Sequence, residues 1–118
     1  MSKSKTREKP LPRASVEILA TLAGGDQHGF GIKHEVERRT DGVVRLAAGT
    51  LYAALDRLTT QGWIEPLDER PDPEFGSTRW RYFRLTASGR SALGAEISRL
   101  EKLVRTVRAL ELADPESS

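Results

Sequence analysis

Residues 46–65 read LAAGTLYAALDRLTTQGWIE, and this stretch decides the fold. Four apolar side chains in it recur at the spacing of one helical face: Leu51, Ala54, Leu55 and Leu58. The spacing predicts a helix whose apolar stripe is buried against the rest of the chain. Gly62 can adopt the left-handed conformation at which helices commonly end, and Trp63 begins an extended segment. A helix that leads straight into a strand is typical of a winged helix.

Two further helices are predicted before this stretch. Residues 14–23 carry apolar side chains on one face and are followed by two glycines, which predicts the first helix. After a turn at residues 26–28, residues 29–39 predict the second helix. Three helices are therefore expected before the strands, with the third beginning at Ala48.

A short hairpin, the wing, is predicted after the third helix. Residues 63–67 can form a strand, but Pro66 lacks a backbone donor and confines that strand to an edge. Residues 68–78 contain two prolines and a glycine and predict a long loop. Residues 78–85 predict a second strand, in which Phe83 and Leu85 face one way and Trp80 and Tyr82 the other. The hydroxyl of Thr86 is expected to cap a last helix that runs to about Leu112.

The last helix carries an apolar seam with steps of four and three residues: Leu93, Ile97, Leu100, Val104 and Val107. A helix of ~20 residues extends ~30 Å, which is longer than a small three-helix core. The seam therefore predicts a homodimer interface. The alternative is that the stripe packs wholly on its own domain.

Composition excludes several classes of protein. The 118 residues include no cysteine and carry a formal net charge of +2, and no stretch approaches the ~20 apolar residues of a membrane span. The two histidines are six residues apart, so they do not share a helical face as a zinc pair would. Since no catalytic motif is visible either, we expect a cytoplasmic protein that is not an enzyme and uses no metal or cofactor.

The chain divides into four expected parts. Residues 1–13 carry five cations and one carboxylate and predict a flexible basic arm, which either binds phosphate or is simply solvated. Residues 14–85 form the three helices and the wing, and residues 86–112 form the dimerisation helix. Residues 113–118 are expected to be a disordered tail.

Three motifs in the expected order resemble those of PadR-like transcriptional regulators. His-Gly-Phe-x-Ile stands at residues 28–32, Gly-Thr-Leu-Tyr-x-x-Leu-x-x-Leu at 49–58, and Tyr-Phe-x-Leu-Thr-x-x-Gly-Arg at 82–90. The resemblance implies a mainly α fold with a small β-hairpin, a winged helix-turn-helix followed by a long C-terminal dimerisation helix. It also implies a dimeric repressor that binds double-stranded DNA. In several relatives such a repressor is controlled by a small-molecule effector.

In a helix-turn-helix the recognition helix lies in the major groove and neighbouring cations hold phosphates. The DNA-contacting candidates in this chain are Lys33, Ala48, Gly49, Thr50, Tyr52, Arg57, Arg79 and Arg81, with Arg84 beside them. Simpler interpretations remain, because Gly49 and Thr50 could merely begin the helix and Tyr52 could cover the wing.

The predicted wing tip has an unexpected charge. Four carboxylates outnumber its one cation: Asp68, Glu69, Asp72 and Glu74 against Arg70. Phosphate would repel such a tip, so the stem of the wing is the part expected to contact DNA. The acidic tip also supports a rival function, in which the winged helix is a protein-interaction module without specific DNA binding.

Overall fold

The structure, a computed structural model, describes residues 9–110 of the chain. Its elements, in order, are α1 (Arg13–Ala23), β1 (Gln27–His28), α2 (Gly29–Arg39), α3 (Ala48–Thr60), β2 (Ile64–Pro71), a 3₁₀ turn (Pro73–Phe75), β3 (Arg79–Leu85) and α4 (Ala87–Ala109). Most of the predicted basic arm and all of the predicted tail lie outside the described residues. The mainly α fold with a wing and a long last helix is confirmed.

The core lies between α1, α2 and α3. The predicted stripe of α3 is buried throughout, since Leu51, Ala54, Leu55 and Leu58 are each no more than 1% exposed. These side chains pack with buried residues of α1 and α2, including Ile18 and Ile32. Full burial of a leucine stabilises a fold by about 1.5–3 kcal/mol, so this stripe fixes α3 firmly.

The ends of the helices follow the sequence closely. The second helix begins at Gly29 and ends at Arg39, as predicted. Its N-cap is His28, whose Nδ1 accepts a hydrogen bond from the Gly31 amide at 3.1 Å. Gly62 has a φ of 79°, which confirms the left-handed residue after α3.

The sheet is larger than the predicted hairpin. Its strand order is β1-β3-β2 and both pairings are antiparallel. Residues 26–28 were predicted as a turn, but Gln27 and His28 pair with Phe83 and Tyr82. A two-residue strand is too short to show the alternation by which strands are recognised.

The predicted short first wing strand was also wrong, because β2 extends through Pro71 into the predicted loop. The strand lies at the edge of the sheet, where a proline is tolerated. A register shift between Pro66 and Glu69 then lets pairing resume at Glu69 with Arg81. Residues 68–71 are mostly polar and end in a proline, so their sequence did not predict a strand.

The first turn of α4 is held tightly against the end of α3. Thr86 Oγ1 accepts a hydrogen bond from the Gly89 amide at 3.0 Å, which confirms the predicted cap. The Thr86 amide in turn donates to the Trp63 carbonyl at 3.0 Å. A Cβ atom on Gly89 would overlap that carbonyl oxygen, so the close approach requires glycine.

One buried carboxylate joins α1 to α2. Glu17 accepts hydrogen bonds from Arg13 Nε at 2.7 Å and from Arg39 Nη2 at 2.8 Å. Burial by itself would raise the pKa of Glu17, but the hydrogen bonds and charges of Arg39 and Arg13 outweigh it and lower that pKa below its ordinary value of 4.5.

Glu17→Gln should therefore lower the free energy of unfolding by about 1 kcal/mol at neutral pH. The ionised carboxylate stabilises the fold fully above pH 4.5, and the effect is lost as the pH falls through the lower folded-state pKa. Urea unfolding at a series of pH values should show the parent and variant converging in acid. Glu101→Gln, at an exposed position of α4, is the control. A Glu17→Gln difference that does not change with pH would contradict this assignment.

Candidate nucleic-acid interface

The start of α3 is open to solvent. Ala48, Gly49 and Thr50 are all exposed, and the N-cap residue Ala47 provides no side-chain hydrogen bond to the first turn. A Cβ atom at Gly49 would meet no atom of residues 9–110 within 4 Å. Backbone amides at a helix N-terminus favour negatively charged groups, so a phosphate could approach this turn closely.

Tyr52 stands next to this turn and is 48% exposed. Its ring packs against the start of α2, since a Cβ atom at Gly29 would lie 2.9 Å from the phenol oxygen. The contact is with α2, whereas the simpler interpretation from the sequence had Tyr52 cover the wing. The phenol is thus held at the junction of the two helices with about half of its surface free.

The two candidate cations on the helices differ in their partners. Lys33 forms an ion pair with Glu37 at 2.8 Å, and both side chains are partly buried. Arg57, near the end of α3, is exposed and makes one long hydrogen bond of 3.4 Å to the Ser15 hydroxyl. The charge of Arg57 is therefore more available to a phosphate than the charge of Lys33.

The wing arginines are held within the wing itself. Arg79 donates to the Glu69 carbonyl at 2.7 Å, and because a carbonyl is neutral this partner does not compensate the positive charge of Arg79. Arg81 donates to the Leu67 carbonyl at 2.6 Å and also lies 3.5 Å from the Glu69 carboxylate. Arg84 is paired with Glu65 at 2.7 Å. Of these three cations, Arg79 is the one without a carboxylate partner among residues 9–110.

A second exposed surface runs along α4. Within the predicted seam, Leu93 packs against the core, but Ile97, Leu100 and Val104 are between 39% and 48% exposed. Val107 is half-buried. The seam therefore does not pack wholly on its own domain.

Two further exposed leucines, one on α4 and one at its C-terminal end, were not predicted. Leu103 is 58% exposed and Leu110, just after the helix, is 69% exposed. They stand three residues after Leu100 and Val107, so their spacing could have revealed them. We call the five exposed side chains together with the half-buried Val107 the α4 apolar face: Ile97, Leu100, Leu103, Val104, Val107 and Leu110.

Within residues 9–110, no group of three or more His, Asp or Glu side chains is placed to hold a metal ion. In the same part of the chain, no helix is both long enough and apolar enough to cross a lipid bilayer.

The three-helix core, the wing and the exposed face of α3 together define a winged helix-turn-helix protein. The pattern of the transcriptional regulator PadR-like family matches residues 18–95. The chain belongs to that family, which confirms the resemblance seen in its motifs. Membership of a family of transcriptional regulators also agrees with the expectation that the chain is not an enzyme.

Two relatives are similar to this chain in sequence. Transcriptional regulator Rv3488 of Mycobacterium tuberculosis is 33% identical over 101 residues, covering 86% of this chain and 88% of that protein. An uncharacterised 37.1 kDa protein in transposon TN4556 of Streptomyces fradiae is 34% identical over 103 residues, covering 87% of this chain. The match spans 27% of the Streptomyces protein, about a quarter of its length.

Solved structures share the fold. A transcriptional regulator of Clostridium thermocellum superposes with a TM-score of 0.68 at 24% identity, covering 82% of this chain and 93% of that one. Bacillus subtilis PadR in complex with operator DNA gives a TM-score of 0.62 at 20% identity, covering 73% of this chain and 48% of that one. At these identities the likeness concerns the fold alone.

Proposed function

We propose that this chain binds double-stranded DNA as a homodimer and represses transcription from a two-fold pseudosymmetric operator. The observation that carries the proposal is the two-sided character of α3. Its apolar stripe is completely buried, while the residues at its start are exposed and uncovered. A rigidly held helix with an open N-terminal face is what insertion into a major groove requires.

The contacts are assigned by what each group offers. Ala48 and Gly49 allow the backbone to approach DNA closely, and the Thr50 hydroxyl and Tyr52 phenol can bind base edges or phosphates. Arg57 supplies a phosphate contact from α3.

The wing contributes a second set of phosphate contacts. Arg79 is the strongest candidate there, because its present partner is a neutral carbonyl. Arg81 and Lys33 are weaker candidates, since a phosphate would compete with the carboxylates of Glu69 and Glu37. A contact by the basic arm and control by a small-molecule effector remain predictions.

The α4 apolar face supports the homodimer. Two-fold symmetry would place each α4 beside its twin, and the exposed leucines and valines would then be buried. Each subunit would present one recognition helix to one half-site, so dimerisation doubles the number of base contacts.

The rival function, a protein-interaction module, has support in the charge of the wing. Residues 64–85 contain five carboxylates and four arginines. An electrophoretic shift against genomic fragments, compared with a pull-down for protein partners, separates the two functions. A specific shift supports the DNA-binding proposal, and stable protein capture without a shift supports the rival.

Thr50→Ala and Tyr52→Ala should each weaken binding to a specific site by about tenfold, because a good contact to a base edge contributes about 1–3 kcal/mol. Both side chains are exposed on α3, so circular dichroism should show an unchanged helix content. A binding titration with a selected fragment and with unrelated duplex measures the effect.

Thr60→Ala is the matched control for Thr50→Ala, since Thr60 is the exposed last residue of the same helix. We expect its affinity to equal that of the parent. Equal losses for Thr50→Ala and Thr60→Ala would remove the start of α3 from the interface, and full affinity in Tyr52→Ala would remove the phenol.

A further inference from the structure

The turn between β2 and β3 folds back onto the start of α2. The residue that joins the turn to α2 is His28, which is fully buried. Because Nδ1 of His28 accepts from the Gly31 amide, Nε2 carries the proton and donates to Asp72 Oδ2 at 2.9 Å. Asp72 Oδ1 accepts from the Glu74 amide at 3.1 Å. One carboxylate thus joins the 3₁₀ turn of the wing to the N-cap of α2.

Aromatic rings surround this link. The His28 ring is stacked on Trp80 with centroids 4.8 Å apart and meets the edge of Phe75 at 5.3 Å. Phe30 repeats both contacts, stacked on Trp80 at 5.5 Å and edge-on to Phe75 at 5.0 Å. These are the geometries that aromatic pairs prefer. The buried Trp80 Nε1 has no hydrogen-bond partner among the described residues, so ring contacts are what hold the indole.

The hydrogen bond to His28 distinguishes Asp72 from the other acids of the wing tip. The hydrogen bond from His28 holds the pKa of Asp72 below its ordinary value, so this carboxylate stays ionised with its charge turned toward α2. A neighbouring acid, Glu74, is exposed, and among the described residues its hydrogen bond in the turn is made by its backbone amide. Asp72 and Glu74, two of the four acids of the tip, therefore have different roles.

We infer that Asp72 and Phe75 form a clasp with His28 and Phe30, and that this clasp positions the wing relative to the recognition helix. His28 and Asp72 are positioning residues that need not touch DNA. Arg79 begins the strand that follows the clasped turn, so the clasp also fixes where its charge lies. The inference deepens the proposed function and rests on it for its DNA-binding part.

The direction in which Asp72→Ala changes DNA affinity tests the clasp. If the acids of the tip act only by repelling phosphate, Asp72→Ala and Glu74→Ala should both raise affinity. If the clasp positions the wing, Asp72→Ala removes the hydrogen bond to His28 and the wing is no longer held in place. Specific affinity for DNA should then fall by about tenfold. Glu74→Ala leaves affinity unchanged or raises it. Asp72→Asn keeps a side-chain oxygen for His28 and should restore most of the loss.

Tryptophan emission provides a readout without DNA. Loosening the clasp exposes Trp80, so Asp72→Ala should shift emission to the red, while Asp72→Asn and Glu74→Ala resemble the parent. If Asp72→Ala does not fold, Phe75→Ala is the second variant. Phe75 is half-buried in the same aromatic cluster, so its removal should also expose Trp80 and shift emission to the red.

Two results would overturn the clasp: affinity that rises in Asp72→Ala as in Glu74→Ala, or unchanged emission in both Asp72→Ala and Phe75→Ala. If the parent binds no duplex, the proposed function fails instead, and the emission measurements still decide whether the clasp exists.

Discussion

Gly89→Ala should lower the free energy of unfolding by about 3 kcal/mol, the upper end of the usual cost of overpacking. The added methyl group would overlap the Trp63 carbonyl oxygen and also crowd a methyl of Leu85. Relief requires the first turn of α4 to move away from the end of α3. That movement would stretch the hydrogen bond from the Thr86 amide to the same carbonyl. Urea unfolding followed by circular dichroism measures the loss.

Gly94→Ala is the matched control, five residues further along the same helix. A Cβ atom there would meet nothing within 4 Å in the part of the chain that the structure describes, so the substitution should raise the free energy of unfolding by about 1 kcal/mol through helix propensity. Opposite signs for the two variants are the expected result. A Gly89→Ala protein as stable as Gly94→Ala would show that α4 does not approach Trp63 as described.

Leu100→Glu should convert the proposed dimer to a monomer and lower specific DNA affinity by about a hundredfold or more. Leu100 lies in the middle of the α4 apolar face and is 41% exposed within one chain. A carboxylate at a two-fold seam would lie near its own copy, and desolvating an unpaired charge costs several kcal/mol. Since the recognition helix is untouched, the lost affinity would come from the lost second half-site.

Ser98→Glu places the same carboxylate on the far side of α4, because residues two apart on a helix do not share a face. It should remain dimeric and bind DNA like the parent. Sedimentation and a binding titration on the same samples measure both properties. A dimeric Leu100→Glu protein with parental affinity would show that the subunits do not meet through this face.

The sequence alone predicted the elements that depend on local pattern. The buried stripe of α3, the bounds of α2 and the Thr86 cap each rest on residues within a few positions of one another. Propensity, periodicity and capping act over that range, so these features could be derived without coordinates.

Features that depend on distant pairing could not be derived. The hydrogen bond between His28 and Asp72 joins residues 44 positions apart, and nothing in either segment indicates the other. The contacts of Arg79 and Arg81 with Glu69 could not be derived either, because Glu69 lies in the part of β2 that was predicted as a loop. The two-residue strand β1 exists only because β3 lies beside it.

A footprint of the parent protein on DNA tests most directly whether the protein binds two half-sites as a dimer. Genomic fragments that bind the protein should be selected, and one of them footprinted at increasing protein concentration. We expect two protected patches with related sequences, centred about one or two helical turns apart at ~10–10.5 base pairs per turn. A single continuous footprint that forms equally on unrelated duplex would contradict a dimer that reads two half-sites through α3.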